Sequence, residues 1–372
     1  MPFPTRLTSI AALAAVSLAA TTVSACGDDS TPAAPAGPTA VVVGAADTAA
    51  PTTTAVGSTT TIPSAPAPSS TASSTTITPT PAQTVVVSTP VLAAIARDIV
   101  GVAAKVTVLM GNGVDPHDWS PSAKDIAAMG AARLVVVNGL DLEEGLGDAI
   151  EQVNRKGVAV FRAAEHATLR TLDEGATHGH GHGHGHGHGH GHGHGHGHDH
   201  GHGAKDPHLW MDPNVMAEVA TALGSALEAA GIPTGGRAAI VADNLRALDS
   251  RIRDRLATIP GARRKLVTGH ESMGYFADRY GFRLIGAVVP SLSSQAEASA
   301  KDLAALKRLI TNEKVSVIFT ELGTPRATVD ALARDVGVRV VELGSHTMPA
   351  DGSYATFLTA IADTIAGALG TP

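Results

Sequence analysis

Histidine carries the chemistry of this 372-residue chain, and its eighteen copies fall into two arrangements. Thirteen alternate with other residues in one tract: His178, His180, His182, His184, His186, His188, His190, His192, His194, His196, His198, His200 and His202, with glycine between them except at Asp199. Neutral imidazole is a good ligand for Zn2+, Cu2+ and Ni2+. Imidazoles at this density offer plural, exchangeable sites whose occupancy depends on pH. Glycine adds no packing surface and brings backbone entropy that folding would have to remove. The tract is therefore expected to be disordered and to act as an accessory, weak collector of metal.

The other five histidines are His117, His166, His208, His270 and His346. His117 lies in Gly113-Val114-Asp115-Pro116-His117-Asp118-Trp119-Ser120-Pro121, His208 in Asp206-Pro207-His208-Leu209-Trp210-Met211-Asp212-Pro213, and His270 in Val267-Thr268-Gly269-His270-Glu271-Ser272. Each of the three precedes a predicted helix, and His117 and His270 directly follow predicted strands. Ligands of open α/β sheets bind at the carboxyl ends of the strands. A single histidine so placed is readily explained as a packed core residue. Three at matching positions point to a shared metal site. His166 reads as an ordinary surface residue.

The elements that must position these loops follow from periodicity. Short β-branched runs at 83–88, 105–110 and 134–138 alternate with helical patterns at 90–100 and 122–132. The alternation returns with strands at 265–268, 282–287, 315–319 and 338–342 and helices at 272–280 and 297–312. This is the pattern of parallel sheets with crossover helices. Between the two sets, residues 234–259 have no internal proline and show apolar residues at three- and four-residue spacing, as in one long amphipathic helix. The expected fold class is α/β. It has two lobes, each a mostly parallel sheet flanked by helices, joined by one long rigid helix with the metal site in the cleft. The lobes are assigned to residues 84–233 and 260–372, and the joining helix to 234–259.

The segments GVDPHDWSPSAKDI, DPHLWMDP and TGHESMGYFADRYGF resemble those of the zinc- and manganese-binding cluster of ABC-transporter substrate-binding proteins. The similarity covers essentially all of 84–372, including a His-rich loop just before the second motif. It implies that His117, His208 and His270 are metal ligands. Some manganese-type members carry a carboxylate where this chain has His270, so the resemblance favours Zn2+ over Mn2+, which prefers oxygen ligands. Many members place an aspartate after the last strand of the second lobe, whereas this chain reads Leu343-Gly344-Ser345-His346-Thr347. His346 is the replacement of choice as fourth ligand, with Glu321 or a water as alternatives. A ligating histidine usually donates its other N–H to a carboxylate or carbonyl; Asp115, Glu271 and Glu321 are the candidates.

Upstream of the folded part, Arg6 and an apolar run over 7–20 read as a secretory signal occupying residues 1–25. The run ends in Val23-Ser24-Ala25-Cys26, which resembles a bacterial lipobox, and Cys26 is the only cysteine. Lipidation of Cys26 is expected to anchor the exported protein on the outer face of the cytoplasmic membrane. Residues 26–83 are rich in Thr, Ser, Pro and Ala and read as a disordered tether. The formal net charge of −7 and the lack of a basic stripe argue against a nucleic-acid partner. The expected partner is an ABC permease, and the chain is expected to be a monomer. A surface zinc buffer or metallochaperone without a transporter is the second reading. A zinc hydrolase, with Glu271 as base, ranks well below because no HExxH pairing occurs.

Overall fold

A computed structural model describes residues 83–172 and 204–370. The expectations for the signal segment, Cys26, the tether up to residue 82 and the Gly-His tract concern residues outside these. In the first half the chain runs β1 (Thr84–Val87), α1 (Pro90–Val100), β2 (Lys105–Val108), α2 (Ala123–Gly130), β3 (Leu134–Val137), α3 (Gly147–Arg155) and β4 (Ala159–Arg162). The four strands form one parallel sheet in the order β2-β1-β3-β4. Val85, Val86 and Val87 are completely buried, as a central parallel strand covered on both faces requires. The helix starts are written in the sequence. Thr89 Oγ1 accepts from Leu92 N at 3.3 Å with Pro90 in the first turn of α1, and Ser122 and Asp125 form a reciprocal capping box on α2.

Two long helices follow, α4 (Pro213–Ala229) and α5 (Arg237–Leu256). The helix expected over 234–259 begins later because Gly235 and Gly236 take φ of +59° and +80°, a turn conformation that ends one helix and admits the next. α5 buries Val241, Leu245, Leu248, Ile252 and Leu256 against α1, α4 and α9 (Tyr354–Leu369). The second half contains β5 (Lys265–Thr268), α6 (Gly274–Tyr280), β6 (Arg283–Ala287), α7 (Ala300–Asn312), β7 (Val317–Thr320), α8 (Arg326–Val336) and β8 (Arg339–Glu342) before α9. β5 pairs with β6 and β7 with β8, both parallel, and β5 lies beside β7. The main apolar core is continuous from β1 and α1 through α4 and α5 to α9, β5 and β7. Among the described residues no helix is long and apolar enough to cross a membrane.

α4 and α5 approach closely at Gly224, where a Cβ would strike the methyl of Ala238. Glycine costs helix stability, so this position trades propensity for close packing. Gly224→Val is expected to destabilise the fold by about 1–3 kcal/mol, the usual result of overpacking a tight interface. Chemical denaturation checks this, and an unchanged midpoint would mean that the two helices part freely.

Candidate metal centre

The topology delivers four histidines to one region. His117 sits on the loop from β2 to α2, His208 on the segment entering α4, His270 on the loop from β5 to α6, and His346 on the loop from β8 to α9. All four are buried, His208 and His270 completely. His117, His208 and His270 each present a ring nitrogen such that the three nitrogens lie within 4.8 Å of one another. The Nε2 atoms of His208 and His270 are 3.2 Å apart. That matches the edge of a tetrahedron of nitrogens around Zn2+, about 3.3 Å for bonds near 2.05 Å.

One histidine tautomer is fixed by its surroundings. His208 Nδ1 lies 2.8 Å from Asp206 Oδ1, so it carries the proton and leaves Nε2 as a lone pair. His270 Nδ1 lies 3.6 Å from Glu321 Oε1 and has no hydrogen-bond partner among the described residues. The lone pair of His208 Nε2 faces His270 Nε2 at 3.2 Å, a separation that a shared proton or a cation can occupy. His117 Nδ1 is 3.5 Å from Glu144 Oε1, and neither of its ring nitrogens has a hydrogen-bond partner among the described residues. A carboxylate thus stands near each imidazole, but only Asp206 holds its ring by a hydrogen bond, the arrangement that fixes orientation and raises ligand basicity.

Burial keeps the rings neutral. It pushes His208 and His270 well below the usual imidazole range, and the positive charge of neighbouring imidazoles adds to the effect. His117 is lowered by burial against the opposing pull of Asp115 and Glu144. His346 is lowered to about 4 by burial, with Glu321 opposing. Asp206 moves the other way, raised to about 6 by burial although the His208 amide and Arg170 favour its charged form. Arg170 Nη1 is 3.4 Å from Asp206, so the carboxylate behind His208 bridges an imidazole and a guanidinium.

His346 stands beside the group rather than within it, with its ring centre 6.3 Å from that of His270. Its Nδ1 is 3.0 Å from Ser345 Oγ, and its Nε2 is buried without a hydrogen-bond partner. Trp210 makes edge contacts with both His346 and His208, at ring-centre distances of 5.7 and 5.3 Å, and donates Nε1–H to the Ser345 carbonyl at 3.2 Å. Glu321 lies behind both His270 and His346. It accepts from the Ser272 hydroxyl at 2.6 Å, and burial raises its pKa.

The candidates read from sequence therefore separate. Glu321 lies near His270, 3.6 Å from its Nδ1, without a hydrogen bond to it. Asp115 does not back an imidazole: its Oδ1 accepts from the His117 amide at 3.1 Å and its Oδ2 from the Ser294 hydroxyl at 2.6 Å. Glu271, whose amide donates to the Ser291 carbonyl at 2.9 Å, does not join the three-imidazole group. His166 is exposed and stacks on Phe161 at 4.7 Å. Asp206 and Glu144 are the carboxylates that sequence reasoning missed. The signal for Asp206 was local, since Asp-Pro-His occurs at both 115–117 and 206–208 and each aspartate accepts from the histidine amide two residues on, an Asx turn stiffened by proline. Glu144 left no signal.

The ligand loops of the two halves are tied across the site. Asn112 donates to the Met348 carbonyl and accepts from its amide, at 2.9 and 2.7 Å, while Ser293 donates to Glu144 at 2.7 Å. Gly323, at φ +84°, lets the β7–α8 turn approach so closely that a Cβ there would overlap the Asp115 carboxylate.

Three neutral imidazoles with ring nitrogens within 4.8 Å of one another suit a borderline transition-metal cation far better than a hard, oxygen-seeking one. Fold and site together define an α/β protein built to bind such a cation out of water. Comparison with known proteins narrows this class. Residues 85–368 match the family described as "Zinc-uptake complex component A periplasmic", and the chain belongs to it. It is similar to the zinc-binding protein TroA of Treponema pallidum, 29% identical over 277 residues that cover 70% of this chain and 80% of TroA. The manganese-binding lipoprotein MntA of Bacillus subtilis is 26% identical over 251 residues, covering 66% of this chain and 72% of MntA. The solved structure of the periplasmic zinc-binding protein TroA from Treponema pallidum superposes with a TM-score of 0.64 at 28% identity, covering 78% of this chain and all of TroA.

Proposed function

We propose that this chain captures Zn2+ outside the cytoplasmic membrane and presents it to an ABC importer, with His117, His208 and His270 as ligands and His346 as the fourth. The observation that carries the reading is the convergence of three neutral, buried imidazole nitrogens within 4.8 Å. The names of the relatives divide between zinc and manganese. The all-imidazole group here favours zinc, because Mn2+ is better served by carboxylate and carbonyl oxygen. The role is binding without catalysis, in a family of transport proteins.

Cys26 and the Gly-His tract lie outside the described residues, and their roles rest on sequence. Cys26 carries the lipid that keeps the protein at the membrane. Imidazoles of the tract hold additional, rapidly exchanging zinc on a monomeric carrier.

Metal-free protein titrated with Zn2+ and with Mn2+, together with zinc uptake by cells lacking and regaining the gene, tests the whole reading. One tight zinc per chain, weaker manganese, and uptake restored by the gene are expected. Tight zinc without any effect on uptake would favour a surface buffer instead. His346→Ala is expected to weaken zinc binding by about tenfold, less than loss of any of the other three, because water can complete the tetrahedron. A coordination sphere with His346 turned away and Glu321 on the metal would sink that assignment.

A further inference from the structure

The loop after β3 has a backbone that side chains rarely adopt. Gly139, Leu140 and Asp141 take φ of +85°, +56° and +56° in succession, and the left-handed region is unfavourable for residues with a Cβ. Glu143 holds this turn. Its Oε1 accepts from the Ser88 hydroxyl at 2.6 Å and the Asn138 amide at 2.7 Å, and its Oε2 from the Gly139 amide at 3.2 Å. The residue is buried, and these three donors are neutral. Burying a carboxylate this way is costly even when it is hydrogen-bonded. An apolar residue would fill the space at lower cost, so the placement calls for a use.

Both ends of the turn meet the metal centre. Asn138, whose amide Glu143 holds, donates its Nδ2–H to the Pro207 carbonyl at 2.8 Å, one residue before His208. Glu144, next to Glu143, lies 3.5 Å from His117 Nδ1. The geometry points to Glu143 as a positioning residue for metal capture. It locks the 138–144 turn so that Asn138 fixes the His208 segment through Pro207, while Glu144 stands behind His117. The inference rests on His117 and His208 being ligands, and it adds a determinant of affinity that touches neither ring.

The test combines Glu143→Gln, Asn138→Ala and the double variant in the full-length chain. Zinc affinity is measured, along with the visible absorption spectrum of the Co2+-loaded protein, which reports ligand geometry. Each single change is expected to weaken zinc binding by about tenfold or more, as loss of an outer partner typically does, and to shift the Co2+ bands. The double variant is expected to be no weaker than the weaker single, because the two residues act in series. Lower thermal stability with unchanged affinity and an unchanged Co2+ spectrum would overturn the inference by reducing Glu143 to a fold residue; so would additive losses. If Glu143→Gln does not fold, Ser88→Ala removes one donor and should shift the bands in the same direction; no shift there overturns the inference as well. His208→Ala runs alongside: retention of the tight zinc in that variant means that the ligand reading itself has failed.

Discussion

Alanine at His208 is expected to eliminate the tight zinc site while the protein stays folded. His208 is completely buried, and its Nε2 lies 3.2 Å from that of His270. Its loss leaves two imidazoles that span one side of the coordination sphere. It also strips Asp206 of its imidazole partner at 2.8 Å and leaves Arg170 as the nearest charge on that carboxylate. Removing an outer partner of a metal ligand typically costs about 10–100-fold in affinity, and removing the ligand should exceed that range. His117→Ala and His270→Ala should behave in the same way, because each removes one of three converging nitrogens. The core does not depend on these rings: the main apolar cluster runs through β1, α1, α4, α5 and α9 and includes none of them. Calorimetric titration of variants that also lack residues 178–202 isolates the effect. If the triple alanine variant in that background still took up one Zn2+ with unchanged affinity, the assignment would be wrong.

Much of the scaffold was legible because parallel strands covered on both faces must be apolar throughout. The valines of β1 and β3 and the run in β7 gave themselves away in this manner. β4 did not, since Phe161 is the only buried residue of its four and the strand lacks the continuous apolar run of an inner one. The capping serines at 122 and 299 fall inside the ranges predicted as helix, whereas in the structure each stands one residue ahead of its helix, bonded to an aspartate three residues on. The histidines were legible for a related reason: loops at the carboxyl ends of strands have few uses for buried imidazole other than a ligand. What sequence could not convey was which acids stand behind them. Asp115 and Asp206 share the same tripeptide, yet Ser294, 179 residues away, takes the second oxygen of Asp115, whereas Asp206 turns its Oδ1 to its own histidine. Glu143 and Glu144 look alike in the chain, but one is buried under three donors and the other faces His117 and Ser293. These distinctions arise from contacts between distant segments, so no local pattern encodes them.

Acid is expected to strip zinc from the Gly-His tract before it empties the tight site. Zinc bound by the tract must displace a proton from each imidazole it recruits once the pH falls below about 6.5, the value for an unperturbed side chain. Each displaced proton costs about tenfold in affinity per pH unit, so a site of two or more tract imidazoles weakens by about a hundredfold per unit or faster. The histidines of the cleft have already been pushed below that range by burial, His346 to about 4 and His208 and His270 well below the ordinary value. They need no deprotonation near pH 6. The group beside the ligands that titrates in that region is Asp206, raised to about 6; its protonation weakens the acceptor behind His208, so the tight site should hold its affinity above that pH and below it weaken by at most about tenfold per unit, as for a single coupled proton. At about pH 5.5 the full chain should therefore retain one zinc and have lost the rest. A chain lacking residues 178–202 should bind one zinc at both pH 7 and about pH 5.5, with thermal stability nearly unchanged by the deletion. Titration of the two chains at the two pH values decides the matter. Loss of the last ion in step with the others, or disappearance of the tight phase on deletion, would show that the tract supplies a ligand to the cleft and that the two sets of histidines do not divide the work.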